Sequence, residues 1–369
     1  MLAPSDLYRL ALLAVVIAAA VLGVREFLRD EGQPLAVADR ATGPQHPPRA
    51  GQEGAGTGGD DTGPSDKALL RRSELRAVLD GATRAAAKKG ARVQAALLLE
   101  GWRRPVVAAV PVEDARRQVR MWSVAKVVTA VALLRELGWG YRFNPAPPGE
   151  VDRAIKHALT RSENCPQRRL LLELQERAGG VDEARDAVRS TLYSARAGAR
   201  LPAEAEPGDT FCHEYLRTQR RLAEPLAPTL PLGVATWRSE DAVRFLHALG
   251  KGAYGERVAD YVLKAMRLPK RRSREAPPGA HTAPVDWGAG RALSRWDPAY
   301  KAGWGGARDG EFLTQQVAQI VLADGSLATL AVTVIPNVQP ETDDPGSTVA
   351  PEATETIMRR VARALEPPD

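Results

Sequence analysis

The strand-like segments of this chain fall into two groups with a long helical block between them, and that order limits the fold more than any other feature. "RVQAALLLEG", Arg92 to Gly101, and "RPVVAAVPV", Arg104 to Val112, read as two short strands joined by a turn at Gly101–Arg104. From Ser123 to Ala248 the signals are mostly helical: the run after Ser123, then "VDRAIKHALTRS", "PQRRLLLELQERAGG" and "RSEDAVRFLHALG". Strand character returns in "AYKAGWGG", "TQQVAQIVLADG" and "LATLAVTVI", and "TETIMRRVARALE" closes the chain as a helix. Ahead of the first strand, "ELRAVLDGATRAAAKKG" is helical, with Ser73 expected as its N-cap and Gly90 just past its end. No internal repeat is visible. A sheet whose strands are separated by a helical insertion is an α/β layer joined to an all-α lobe. The expected division is an α/β part at about 70–122 and 290–366 and a helical lobe at about 123–289, with the site in the cleft between them.

The residues before this domain are of two kinds. "LALLAVVIAAAVLGV", Leu10 to Val24, is fifteen uncharged apolar residues flanked by Arg9 and Arg25. Residues 1–30 are expected to be an uncleaved membrane anchor, Arg9 snorkelling to extend a short span. A cleaved signal segment and a buried core helix are the other two readings. Arg9 against Arg25 and Arg29 leaves the orientation undecided. Residues 31–69 are rich in Gly, Pro and polar residues, lack an apolar period, and are expected to be a disordered tether. The expected location is therefore the cell membrane, single-pass, with the domain extracytoplasmic, or secretion if the segment is cleaved. The whole chain, at 44% hydrophobic and 26% charged residues, is otherwise that of an ordinary globular protein. Its net charge of +6 is scattered, and the densest basic cluster, "KRRSRE" from Lys270 to Glu275, reads as a solvated loop. Basic residues are not interleaved with aromatics, so no nucleic-acid partner is expected.

The chemistry is concentrated in "MWSVAKVVTAVALLREL", Met121 to Leu137, where Ser123 stands three places before Lys126. A serine hydroxyl is a weak nucleophile and needs a base within hydrogen-bond reach. On a helix, residues i and i+3 share a face, so Lys126 can reach back to Ser123. The helix N-terminus would set a backbone N–H beside a developing oxyanion. The apolar run that follows supplies the burial a lysine needs to lose its proton readily. Ser123 can equally be an ordinary helix cap followed by a surface lysine, and this motif alone does not decide between the two.

Two further triplets follow in order: Ser162-Glu163-Asn164 between two helical stretches, and Lys301-Ala302-Gly303 at the start of a late strand. With these, the sequence resembles the penicillin-recognising serine enzymes, class A β-lactamases and D-Ala-D-Ala peptidases, whose signature is S-x-x-K, S-D-N and K-T-G in that order. The resemblance covers about residues 70–366. It implies a β-lactamase-like α/β fold: an antiparallel sheet flanked by helices, with an all-α lobe inserted. It also implies Ser123 as nucleophile, Lys126 as its base and Ser162 as proton relay to the leaving nitrogen. Asn164 and Lys301 would hold the substrate, and Gly303 and Trp304 would line the strand beside it, the Trp304 N–H joining that of Ser123 in the oxyanion hole. The implied partner is a β-lactam or a peptidoglycan peptide, and no cofactor is expected.

The sequence departs from that pattern in three places. Glu163 replaces the middle Asp of S-D-N, a minor change. Ala302 replaces the hydroxyl residue of K-T-G, which normally hydrogen-bonds the substrate carboxylate. The glutamate that activates the deacylating water in class A enzymes has no clean counterpart; Glu224, followed by Pro225, is the best candidate but lies too far from Asn164. Efficient β-lactamase activity is therefore doubtful, and a silent domain binding cell-wall fragments or a partner protein is the rival reading. Cys165 and Cys212 bracket the irregular region after Asn164 and are either a disulfide, as an oxidising compartment would allow, or two separate buried thiols. His157, His213 and His247 show no metal spacing with them, and no metal site is expected.

Overall fold

The computed structural model describes residues 66–139, 147, 149–207, 210–212, 216, 227–271, 287–306, 311–341 and 348–366. Helix α1, Asp66–Ala87, leads into strand β1, Ala91–Leu99, and β2, Val106–Val110. The last strands are β6, Ala299–Gly305, β7, Leu313–Val321, and β8, Leu327–Pro336, and the closing helix, here α9, spans Ala350–Leu365. These strands form one antiparallel sheet in the order β2-β1-β8-β7-β6, so that β8 from the end of the chain lies directly on β1 from its beginning. Register pairs Ala95 with Val332 and Leu97 with Leu330.

The central strands read as nearly unbroken apolar runs because both faces of the sheet are covered. Val93, Leu97, Leu330 and Val332 turn to one face, against Leu75 and Leu79 of α1 and Ile357 and Met358 of α9. Ala96, Leu98, Val317 and Ala331 turn to the other and belong to the core of the helical part. Helix α1 begins at Asp66 and runs through Ser73, which is therefore inside the helix and not its N-cap. The reason is local: Ala68, Leu69, Leu70, Arg71 and Arg72 are all strong helix formers, and they carry the helix back past the serine.

Between the two groups of strands lie α2, Ala125–Glu136; α3, Gly149–Thr160; α4, Asn164–Ala178; and α5, Val181–Ser194. Helices α6, Ser239–Gly250, and α7, Glu256–Arg267, follow, with a single turn, α8, at Ala289–Ala292. Every residue of α2 from Ala125 to Leu134 is buried, so this helix is the axis around which α3, α4, α5 and α7 pack. Helix α6 lies directly on β1, β7 and β8. Buried polar groups tie it there: Ser239 Oγ donates to Gln94 Oε1 at 2.6 Å, and Trp237 Nε1 donates to Gln315 Oε1 at 2.8 Å. Pairing satisfies groups that would otherwise be costly to bury.

A second sheet, absent from the sequence reading, has the order β3-β5-β4, from Val119–Arg120, Thr236–Trp237 and Ala199–Arg200. Its strands are two residues long, too short to leave a period in the sequence. Cys165, the second residue of α4, is bonded to Cys212, with Cα atoms 5.1 Å apart. Both are buried with Leu172 and Leu216 in a small apolar cluster of their own. Among the described residues no helix is long and apolar enough to cross a membrane. The apolar run Leu10–Val24 lies outside them.

Candidate active site

Ser123 sits in a 3-10 turn, Trp122–Val124, that runs directly into α2. The residue before it, Trp122, has φ of 45°, and Ser162, in the turn between α3 and α4, has φ of 58°. A left-handed backbone costs a side-chain-bearing residue on the order of 1 kcal/mol, and such positions gather where a side chain must be aimed. Here the two strained residues flank the same small volume. Strand β6 closes it from the sheet side. A Cβ built on Gly303 would stand 2.8 Å from the Ser123 nitrogen, and one on Gly305 would stand 3.1 Å from the Trp122 ring. Position 303 therefore admits only glycine if β6 is to pass this close to the turn.

Lys126 is 3% exposed, and its ammonium meets three oxygens. Nζ lies 3.0 Å from Ser123 Oγ, 2.5 Å from the Ser162 carbonyl oxygen and 2.8 Å from Asn164 Oδ1. Two of these three are acceptors only, so they fix two of the N–H groups. The third direction, toward Ser123, can hold either an N–H or, in the neutral amine, the lone pair. In its neutral form Lys126 would face a hydroxyl that can give it a proton, with both remaining hydrogens still bonded.

Lys301, the third residue of β6, approaches from the opposite side, buried to 3% exposure. Its Nζ donates to Ser162 Oγ at 2.8 Å and to the Ala302 carbonyl at 2.6 Å. Burial holds the Lys301 ammonium well below the usual lysine range, and the positive charges of Lys126 and Lys270 add to the effect. Ser162 is thereby gripped from both ends: its carbonyl accepts from Lys126 and its hydroxyl from Lys301. Glu163 does not face this space. It is 4% exposed and turned to the other side, where its carboxylate oxygens stand 3.4 Å from His157 Nδ1 and 3.6 Å from Arg161 Nη1. Gln167 Nε2 donates to Thr129 Oγ1 at 2.7 Å and locks α4 to α2 one turn beyond the site.

Ser123, Lys126, Ser162, Asn164 and Lys301 are therefore brought together, from α2 and its preceding turn, the α3–α4 turn and β6. Gly303 and the half-buried Trp304 follow on the same strand. The Cys165–Cys212 bond anchors the start of α4 next to Asn164. Glu224 and His213 lie outside the described residues. His247 is remote in its contacts, with Nδ1 3.2 Å from Thr329 Oγ1 on β8.

Sequence reasoning missed two contributors. Trp122 reads as an ordinary apolar residue, since nothing in a sequence marks a positive φ on tryptophan. Lys270, read as part of a solvated basic run, is half-buried, with its Nζ 4.6 Å from the centre of the Tyr300 ring. Residues 272–275 of that run lie outside the described residues. The one available signal was its position three residues past α7, where lysine commonly meets the last helical carbonyls.

No family model matches the sequence, and no curated protein does. Solved structures do. A class A β-lactamase from Bacteroides cellulosilyticus matches at a TM-score of 0.51 and 16% identity, over 80% of this chain and 98% of that one. The TLA-1 extended-spectrum β-lactamase matches at 0.51 and 14% identity, over 80% and 99%. At such identities the likeness carries the fold, and the fold it carries is β-lactamase-like.

Proposed function

We propose that this chain, with its β-lactamase-like fold, is a serine hydrolase that cleaves β-lactam or peptidoglycan-type amide bonds through an acyl-Ser123 intermediate. The contact between Lys126 and Ser123, with the two other Lys126 hydrogens held by the Ser162 carbonyl and Asn164, is the observation that carries this reading. Neutral Lys126 takes the Ser123 proton as Oγ attacks the carbonyl carbon. The oxyanion forms opposite the backbone N–H groups of Ser123 and Trp304. The Ser162 hydroxyl gives its proton to the leaving nitrogen, the carbon–nitrogen bond breaks, and Ser162 regains a proton from the lysines on either side. Water then cleaves the ester, releasing the acid and restoring Ser123. Asn164 orients the substrate amide and Lys126 together.

Ala302 weakens recognition of a carboxylate beside the scissile bond, and Glu224 lies further along the sequence from Asn164 than the class A spacing of a deacylation base allows. Both features favour slow turnover of penicillins, and they are also what a silent binding domain would show. The purified domain from residue 67 onward, treated with a fluorescent penicillin and a fluorophosphonate, separates the two. Labelling is expected at Ser123 by intact mass and peptide mapping, absent in Ser123→Ala, with a penicillin adduct that persists. A folded protein that neither reagent labels would make the silent domain the correct reading. The apolar run Leu10–Val24 would anchor this domain to a membrane, with 31–65 as its tether, since residues 66–69 belong to α1. The full chain is expected in the membrane fraction after a high-salt wash and a version lacking residues 1–30 in the supernatant; the full chain washing off would rule out the anchor.

A further inference from the structure

Three segments meet behind the Ser162–Lys301 contact, and one side chain joins them. Lys270 Nζ donates to the Met266 carbonyl near the end of α7 at 2.6 Å and lies 3.5 Å from the Leu159 carbonyl near the end of α3. The same ammonium stands over the ring of Tyr300, the neighbour of Lys301 on β6. Next in the chain, the Arg271 N–H donates to the Thr160 carbonyl at 3.1 Å. Helix α3 ends at Thr160, two residues before Ser162; the Arg161 N–H still donates to the His157 carbonyl, while the Leu159 and Thr160 carbonyls meet this segment. We propose that Lys270 is a positioning residue of this site: by tying the ends of α3 and α7 to the Tyr300–Lys301 strand, it holds the Ser162 turn on Lys301. The inference rests on the serine hydrolase reading only in so far as it concerns catalysis, since the tie itself is geometric.

The tie has an electrostatic consequence that a purely mechanical clamp would lack. Lys126 from α2 and Lys270 from the segment after α7 are the charged groups that act on Lys301. Facing it besides are the Ser162 hydroxyl from the α3–α4 turn and, across the pair on β7, the uncharged Val317. Glu163 is directed to His157 and Arg161 and offers no compensating charge. Lys270 therefore helps keep Lys301 easy to deprotonate, and removing its charge must move the Lys301 titration to higher pH.

The test compares Lys270→Met with Lys270→Arg in the domain from residue 67 onward, reading two quantities. The first is the Lys301 titration, followed by NMR of protein carrying carbon-labelled lysine and assigned with Lys301→Arg. The second is the pH profile of Ser123 acylation by the fluorophosphonate. Lys270→Met is expected to raise the Lys301 midpoint, and to slow acylation roughly tenfold as the Ser162 turn loosens. The profile limb set by Lys301 should follow the midpoint upward. Lys270→Arg, which keeps the charge, is expected to restore the midpoint and most of the rate, and its fold guards against a methionine variant that does not fold. An unmoved midpoint in folded Lys270→Met overturns the proposal, even if the rate falls, because that outcome describes a merely structural lysine. A midpoint that moves in a protein that no reagent acylates would leave the Lys270 tie standing and remove the serine hydrolase reading.

Discussion

Replacing Lys126 by methionine is expected to slow acylation of Ser123 by about a thousandfold, within the range that loss of a positioned general base produces. Methionine fills nearly the same volume and keeps the helix, but cannot take a proton. It also leaves the Ser162 carbonyl and Asn164 Oδ1 without the donor each has now, costing about 1–3 kcal/mol for each group that stays buried and unpaired. The rate and stability losses are separable: fluorophosphonate kinetics give the first and urea unfolding the second. Were the methionine variant to label within tenfold of the native rate, the base would have to be another group, and Lys126 would be only a buried hydrogen-bond donor. Asn164→Ala offers a graded comparison, since it removes one of the two contacts that aim the lysine and leaves the amine in place.

Opening the Cys165–Cys212 bond is expected to cost roughly 4 kcal/mol of stability, the loop-closure entropy for residues 47 apart in sequence on the chain-entropy account. That is a large share of the stability of a typical domain. The double change Cys165→Ala, Cys212→Ala suits the apolar surroundings better than serine would, and urea unfolding of this variant against the oxidised parent measures the loss. A loss under about 1 kcal/mol would mean that the unfolded chain gains little freedom without the bond. Because Cys165 follows Asn164 directly, the variant should also acylate more slowly under conditions where it remains folded.

Much of this site was legible in the sequence for reasons that are local. Ser123 and Lys126 are separated by one helical turn, so their meeting follows from helical geometry once the helix is granted. Ser162 and Asn164 mark a helix boundary, and Lys301 begins a strand. Only the fold, however, brings β6 across to Ser162, and that depended on a resemblance and not on periodicity. The misreadings are also physical in origin. Ser73 looked like a cap because serine caps helices well, yet the preceding residues are good enough formers to override it. Lys270 belonged to a basic run whose composition resembles any solvated loop, and its role arises from contacts with residues more than a hundred positions earlier and thirty later. Such a tie leaves no trace in local pattern.

The burial of α2 from Ala125 to Leu134 bears on how a site of this kind can change over time. A buried stretch of helix transmits any altered volume to several neighbours at once, so Ser123 and Lys126 cannot drift without the whole lobe adjusting. New preferences must then be acquired elsewhere, at places where a substitution meets solvent or the edge of the sheet: the turn around Ser162, and Ala302 and Trp304 along the outermost strand. Ala302 occupies such a place, half-buried on the edge strand. On this view the placement of Ser123 and Lys126 is the fixed part of the fold, and the surface beside them is the part left open to revision.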